Sequence, residues 1–379
     1  MRVLHVVPSY YPASVYGGPI YATHALCQNL ARRGLDVRVL TTNANGRHDT
    51  LDVDDSSLIE LEPRLGVRYC RRIAAHDVST GLLGCLRAWT RWADLVHLTA
   101  VYSFPTLPTL TACRWAEKPL VWSPRGSLQT WASTSHRRAK SLWKRACRVL
   151  LPPNSVMHVT SAREAESSGG VFPQTPIVVI PNGVYATAAT PLPPLENGLR
   201  LLYLGRLDPI KGLERLLDAC AHLNGRPPFE WSLTVAGTGD PAYAASIAAR
   251  IRQVGLVGRV TLVGEAGGAR KDELLVTSHV VVVPSHSESF GMVVAEALAH
   301  GRPVIASRGT PWSDVESIGC GLWVENTPEA LAAAIVRIRG MPMAEMGDKG
   351  RLWMRKEFDW STVAARMVAV YRGLLEPAA

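Results

Sequence analysis

The most constraining feature of the 379-residue chain is one stretch, VVVVPSHSESFGMVVAEALAHGRPVIAS, running from Val280 to Ser307. Four consecutive valines, Val280 to Val283, read as a strand covered on both faces, because no polar residue alternates with them. A proline and a Ser/His cluster end the run, and Phe290-Gly291 leads into an apolar-periodic helix from Met292 to Ala299. Gly301 stops that helix, and Pro303-Val304-Ile305-Ala306 begins the next strand. A loop at the carboxyl end of a parallel strand therefore feeds directly into a helix N-terminus. Doubly wound α/β sheets bind ligands at such a place, and the helix dipole and free N–H groups there favour an anion. Two carboxylates frame it: Glu288 just before the helix and Glu296 inside it.

The same alternation runs through the chain. Val3–Val7 reads as a first strand, followed by the loop PSYYPASVYGGPIYA, a helix from Ile20 to Arg33 ended by Gly34, and a strand from Asp36 to Thr42. Gly17-Gly18 makes the first turn, but G-x-G-x-x-G is absent, so there is no dinucleotide fingerprint. Residues 43–62 are polar and acidic, and Asp52-Val53-Asp54 sits there in a loop, where it does not hold a metal. Further strands are expected at Asp94–Leu98, Lys118–Ser123, Val156–Ser161 and Ile177–Ile180. After the proline-rich ATAATPLPPLENG come strands at Leu199–Leu204, Leu233–Gly239 and Val260–Gly264, a segment Gly319–Val324, and helices from Leu213 and Pro328. The last helix spans Trp360 to Leu375, with Val363, Met367, Val370 and Leu374 on one face. No fixed-period repeat is visible. The pattern is α/β, with two Rossmann-like halves.

Composition narrows the class. Hydrophobic residues at 47% and charged residues at 19% suit a soluble globular chain long enough for two full cores. The apolar run before Pro8 is too short for a signal peptide or a membrane span. Seven cysteines, scattered and without C-x-x-C, read as thiols in a reducing compartment, so a cytoplasmic location is expected. Residues 1–185 hold 21 Lys and Arg against 12 Asp and Glu, whereas residues 186–379 hold 20 of each. The basic half can face nucleic acid, an anionic membrane or an acidic substrate. His136–Leu151 interleaves six basic residues with Leu142, Trp143, Ala146, Val149 and Leu150 at helical spacing. It is either an interfacial helix or one that packs its apolar face inward.

The segment S-E-S-F-G-M-V-V-A-E-A-L-A-H-G-R-P-V-I-A-S resembles the E-x7-E signature of glycosyltransferase family 4, retaining enzymes with the GT-B fold. Gly205-Arg206-Leu207-Asp208-Pro209-Ile210-Lys211-Gly212 resembles that family's second signature, G-R-L-x-x-x-K-G. The resemblance implies two Rossmann-like doubly wound domains facing a cleft. Residues 1–185 would form the acceptor side, 186–198 a linker and 199–356 the nucleotide-sugar domain, with helix 360–376 crossing back onto the first. It also implies roles. Glu288 would contact the donor sugar and Glu296 the ribose. Arg206 and Lys211 would stabilise the leaving nucleoside diphosphate, with Gly205 allowing close approach. Ser289, Phe290, Gly291, Met292 and Val293 would line the diphosphate, Gly264 and Glu265 the base, and Gly17-Gly18 the donor phosphate and acceptor.

Many relatives carry a histidine where Pro124-Arg125-Gly126 places Arg125, near the reacting sugar. An Arg binds phosphate or hydroxyls but is no base near neutral pH. His97 is either close to that space or a strand-end core residue. The resemblance thus implies a nucleotide-sugar donor and a glycan or lipid-linked diphosphate sugar acceptor in polysaccharide or lipopolysaccharide assembly, and the basic first half supports peripheral contact with an anionic membrane. No metal or other cofactor is implied. Two other classes stay open. A GT-B nucleotide-sugar epimerase would use the same carboxylates without a second substrate. A nucleic-acid-binding protein would use the basic half, though no recognition motif accompanies it.

Overall fold

A computed structural model describes residues 1–46, 48–74, 77–129, 137–223 and 229–376. The chain divides into two compact units, residues 1–183 with 360–379, and residues 184–359.

The first unit is built on an eight-stranded sheet. Its strands are β1 (Arg2–Ser9), β2 (Asp36–Thr42), β3 (Ile59–Glu62), β4 (Leu65–Cys70), β5 (Leu95–Thr99), β6 (Leu120–Ser123), β7 (Ser155–Val159) and β8 (Ile177–Val179). They run in the order β3-β4-β2-β1-β5-β6-β7-β8. All neighbours are parallel except β3 with β4. The chain moves outward from β1 on one side and restarts at β5 on the other, so the switch point lies between β1 and β5. Side chains of alternate strand residues sort to opposite faces. Leu4, Val6, Val96, Leu98, Leu120, Trp122, Met157 and Val159 form one apolar face with the helices packed over it. The alternate positions include His5, His97, Ser123 and His158, all buried. The final helix, Trp360–Leu375, belongs to this unit, and its Tyr371 reaches these histidines.

The hairpin β3–β4 went unrecognised in the sequence because Leu58 to Leu61 read as the end of a polar loop. Burial of β4, from Leu65 to Cys70 with only Arg68 partly open, supplies what β3 lacks.

The second unit holds β9 (Leu199–Leu204), β10 (Trp231–Ala236), β11 (Val260–Gly264), β12 (Val280–Val283), β13 (Val304–Ser307) and β14 (Gly321–Val324). They form a parallel sheet in the order β11-β10-β9-β12-β13-β14. The valine run is explained by its two faces. Val280 and Val282 enter one core with Leu201 and Tyr203, while Val281 and Val283 enter the other with Leu202 and Leu204. Here the switch point falls between β9 and β12, so the loops after those two strands, each carrying one of the motifs, flank it.

The proline-rich segment expected as a linker is pinned to this second unit. Arg302, fully buried, donates to the carbonyls of Thr190 and Pro191. His279 bonds the Pro193 carbonyl and Thr187 the Ala299 carbonyl. Prolines carry no N–H, so the segment is short of backbone donors for its own carbonyls, and Arg302 and His279 supply some.

Candidate active site

In the second unit the loop after β9 turns through a short 3-10 segment, Pro209–Lys211, whose start is capped by Asp208 accepting from the Ile210 N–H at 3.0 Å. Gly212 follows with φ +66°, and a methyl group there would stand 2.0 Å from the Pro284 carbonyl oxygen. Only glycine lets the two loops approach this closely. The loop after β12 is held from several sides. The His286 N–H donates to Ile210 at 2.7 Å, Asn326 donates to the Pro284 carbonyl at 2.7 Å, and the Glu288 N–H donates to Gly309 at 3.0 Å. Ser307 donates to the Ser285 carbonyl at 2.5 Å.

This bracing brings the two motifs together. Lys211 Nζ lies 2.5 Å from Glu288 Oε1, and the same oxygen accepts from the Ser285 hydroxyl at 2.9 Å. Both charged side chains are mostly shielded, at 21% and 13% exposure, so their attraction is screened less than that of a surface pair. Arg206, by contrast, is exposed and its side chain has no ion-pair partner among the described residues.

Gly291, at φ +83°, starts the helix Met292–Ala299, and no side chain caps that end. The first N–H groups of a helix have no intrahelical acceptors, so this terminus offers donors and the positive end of a dipole. Met292 and Val293 are half-buried there. One turn further, Glu296 Oε1 meets Lys271 Nζ at 2.7 Å. Phe290 turns its ring into the core, 5.0 Å from Trp312, whose indole donates to the Phe290 carbonyl. Trp312 is buried against Trp353 and Phe358 as well, so it packs the loop. Gly264 and Glu265 are exposed at the end of the edge strand β11, two strands from the switch point.

The first unit carries a different cluster. His158 Nε2 faces the Ile180 carbonyl at 2.9 Å, which can only accept, so Nε2 carries the proton. Its Nδ1 then accepts from Ser123, 2.7 Å away, and Ser123 accepts from His97 Nε2 at 2.7 Å. His97 Nδ1 is left to accept from the Tyr371 hydroxyl at 2.6 Å, and that oxygen accepts from His5 Nε2 at 3.4 Å. Every proton position follows from one carbonyl. Burial, aided by the Arg125 charge, pushes His5 and His158 down to about 3, and burial with its neighbouring rings holds His97 well below the usual range. His97 is therefore a neutral core histidine with both nitrogens engaged, which corrects its acceptor-side expectation. Arg125, at φ +53°, is half-buried and donates to Asn182 at 2.5 Å. Gly17, at φ +72°, precedes the uncapped helix Gly18–Arg32.

The description "Glycosyl transferases group 1" matches residues 198–339, and "Glycosyl transferase 4-like domain" matches residues 17–183. The chain belongs to glycosyltransferase family 4. A D-inositol 3-phosphate glycosyltransferase of Kineococcus radiotolerans is 28% identical over 92% of this chain and 88% of its own. That of Segniliparus rotundus is 31% identical, but the match spans 46% of this chain and only 39% of the relative. Among solved structures, sucrose-phosphate synthase from Thermosynechococcus elongatus superposes with a TM-score of 0.79 at 22% identity over 98% of both chains. Anabaena HepE, in complex with UDP-glucose, gives 0.74 at 19%, over 98% of this chain and 100% of that one. These likenesses establish the GT-B fold.

Within this family 4 chain, the motif residues Lys211 and Glu288 meet, while Glu296 pairs with a residue that no motif announced. Ser285, Lys271 and Asn326 were all missed in the sequence. Ser285 sits inside the S-H-S-E segment, but nothing in its spacing marks it as the partner of Glu288. The histidine cluster did leave a signal: His5, His97 and His158 each stand between apolar residues in a buried strand. Asp54, in its loop, accepts from Ser56 and Ser57. Among the described residues no group of three His, Cys, Asp or Glu is arranged to hold a metal.

The basic helix spans Arg137–Leu150, His136 lying outside the described residues. Trp143, Cys147 and Leu150 form its inner face, and the Trp143 indole donates to Val101 at 2.7 Å. Leu142 and Val149 are 70% and 66% exposed and share an outer stripe with Arg138 and Arg145. Their positions, three and four apart, place all four on one face. No helix among the described residues is long and apolar enough to cross a membrane.

Proposed function

We propose that the chain is a retaining glycosyltransferase, moving a sugar from a nucleoside diphosphate sugar to a glycan or lipid-linked acceptor in cell-surface polysaccharide assembly. The observation that carries this reading is the 2.5 Å meeting of Lys211 and Glu288 at the switch point of the second unit. Two motifs separated widely in sequence converge there beside an uncapped helix N-terminus, where a diphosphate is favoured. The likeness to HepE, solved with UDP-glucose, supports a nucleotide-sugar donor.

In this mechanism the carbon–oxygen bond from the sugar to the diphosphate breaks. Lys211 and Arg206 take the charge developing on the departing phosphate, the kind of preorganised stabilisation that contributes most to catalysis. The acceptor hydroxyl attacks from the same face, and its proton passes to the leaving phosphate oxygen. Glu288, fixed by Ser285, accepts from hydroxyls of the donor sugar, and Glu296 accepts from the ribose. No metal is needed, since the two cations do its electrostatic work. The outer stripe of the Arg137–Leu150 helix, with its leucine and valine between arginines, suits an anionic membrane surface carrying the acceptor.

The test is nucleoside diphosphate release from the donor with a membrane acceptor fraction, in Lys211→Ala. We expect a loss of two to three orders of magnitude, about what loss of one oxyanion-stabilising donor costs. The anomeric configuration of the product, read by NMR, should match that of the donor. Full activity in the variant would refute the assignment.

A further inference from the structure

Arg125 stands in a turn at the carboxyl end of β6, where the chain takes two successive left-handed residues, φ +53° at Arg125 and +79° at Gly126. A non-glycine residue is strained in that region, so the surrounding structure must hold it there. The brace is Glu164, fully buried. One of its oxygens accepts from the Gly126 N–H at 2.5 Å, the other from the Thr160 N–H and hydroxyl at 2.8 and 2.7 Å. The carboxylate is thereby committed to backbone and hydroxyl and makes no ion pair with the guanidinium.

The guanidinium has five N–H donors. Among the described residues its one polar contact is the neutral Asn182 amide oxygen, and Nε is sealed from solvent without a partner. No carboxylate among the described residues lies within ion-pair distance of it. The other groups around it are Cys27, Tyr371 and the three histidines, all held neutral by burial. The Glu164 carboxylate attracts the guanidinium from beyond ion-pair distance, and enclosing a cation that no carboxylate pairs directly is costly, a cost that falls when an anion enters. Part of the side chain still reaches solvent, so a ligand can approach. Guanidinium geometry matches phosphate in a two-bond fork.

We propose that Arg125 forms an anion-binding recess that receives a phosphate group on the acceptor. The word acceptor rests on the transfer reading above; the anion site itself does not. Lys211, Glu288 and Glu296, the donor residues of that reading, all belong to the second unit, whereas Arg125 and its brace belong to the first.

The experiment uses the full chain labelled with nitrogen-15 at arginine, in a Lys211→Ala background that weakens phosphate binding at the donor site. The Arg125 Nε–H resonance, assigned by its loss in Arg125→Lys, is followed during titration with methyl phosphate and, separately, methyl glucoside at fixed ionic strength. Saturation-transfer NMR of methyl phosphate gives affinity in the variants. We expect a saturable shift with methyl phosphate only, an affinity at least ~10-fold weaker in Arg125→Gln, and partial retention in Arg125→Lys, which keeps the charge. An unshifted resonance, equal binding in Arg125→Gln, or an equal response to methyl glucoside would overturn the proposal. Should Arg125→Gln fail to fold, Arg125→Lys and the wild-type resonance still decide. Failure of nucleotide binding at Glu296 would sink the transfer reading and leave this result standing.

Discussion

The neutral histidines of the first unit make its stability steeply dependent on pH. In the unfolded chain a histidine titrates near 6.5, whereas His5 and His158 are pushed down to about 3 and His97 lower than its usual range. Above pH 6.5 neither state binds the proton, and stability is unaffected. As pH falls below 6.5, the unfolded chain takes up protons that the folded unit refuses, so stability is lost until the folded values are reached. Each such histidine costs about 1.4 kcal/mol per pH unit, so three of them cost about 4 kcal/mol between pH 7.5 and 5.5. That is a large share of a domain's ~5–15 kcal/mol. His24 and His279, also lowered by burial, act in the same direction, while most carboxylates titrate below this window. Subtraction isolates the network. His158→Asn keeps an acceptor for Ser123 but cannot be protonated, and it loses the bond to the Ile180 carbonyl, about 1–2 kcal/mol at neutral pH. Urea unfolding at steps from pH 7.5 to 5.5 should give a slope for the variant lower by one proton than for the wild type. Equal slopes, or a wild type whose stability is flat over this range, would refute the reasoning.

Three further substitutions follow, Gly212→Ala and Lys271→Ala in the second unit and Gly34→Ala in the first. Gly212→Ala forces a methyl into the Pro284 carbonyl at positive φ and should destabilise by more than ~2 kcal/mol in thermal unfolding, with loss of nucleotide binding. Gly34→Ala, at φ +85° with nothing within 4 Å, carries the conformational penalty alone and should cost about 1 kcal/mol. Lys271→Ala releases the Glu296 carboxylate that it holds at 2.7 Å. The pair is partly exposed, so folding should change by under ~1 kcal/mol while calorimetric nucleotide affinity changes several-fold.

Much of this architecture was legible because parallel strands buried on both faces write themselves as apolar runs. Val280–Val283, Met292–Ala299, Leu199–Leu204 and the final helix all fall where periodicity and breakers placed them. The edge strand β3 did not show, because half its side chains face water and nothing local distinguishes it from a loop. The segment read as a semi-stiff linker, and proline composition says nothing of Arg302, which clasps it from far along the chain. At the site, the motif residues were visible and their partners were not. Ser285, Lys271 and Asn326 act through positions that only the folded loops bring together. For the basic helix, sequence could count apolar residues but not orient them, so it left an interfacial and an inward-packing helix both open; Trp143, Cys147 and Leu150 face inward while Leu142 and Val149 face outward. Sequence left His97 open between site and core, and its two hydrogen bonds decide for the core.

The most direct test of the central claim is a metal-free thermal-shift panel of UDP, GDP and ADP, with their common sugars, on wild type and Glu296→Ala. A ligand that binds only the folded state raises its stability with the logarithm of its concentration over Kd, by about 2.7 kcal/mol at a hundred times Kd. Selective stabilisation by one nucleoside diphosphate, lost in Glu296→Ala, is the predicted result. Absence of a shift with every nucleotide, or an undiminished shift in the variant, would contradict a donor site built on the helix after β12.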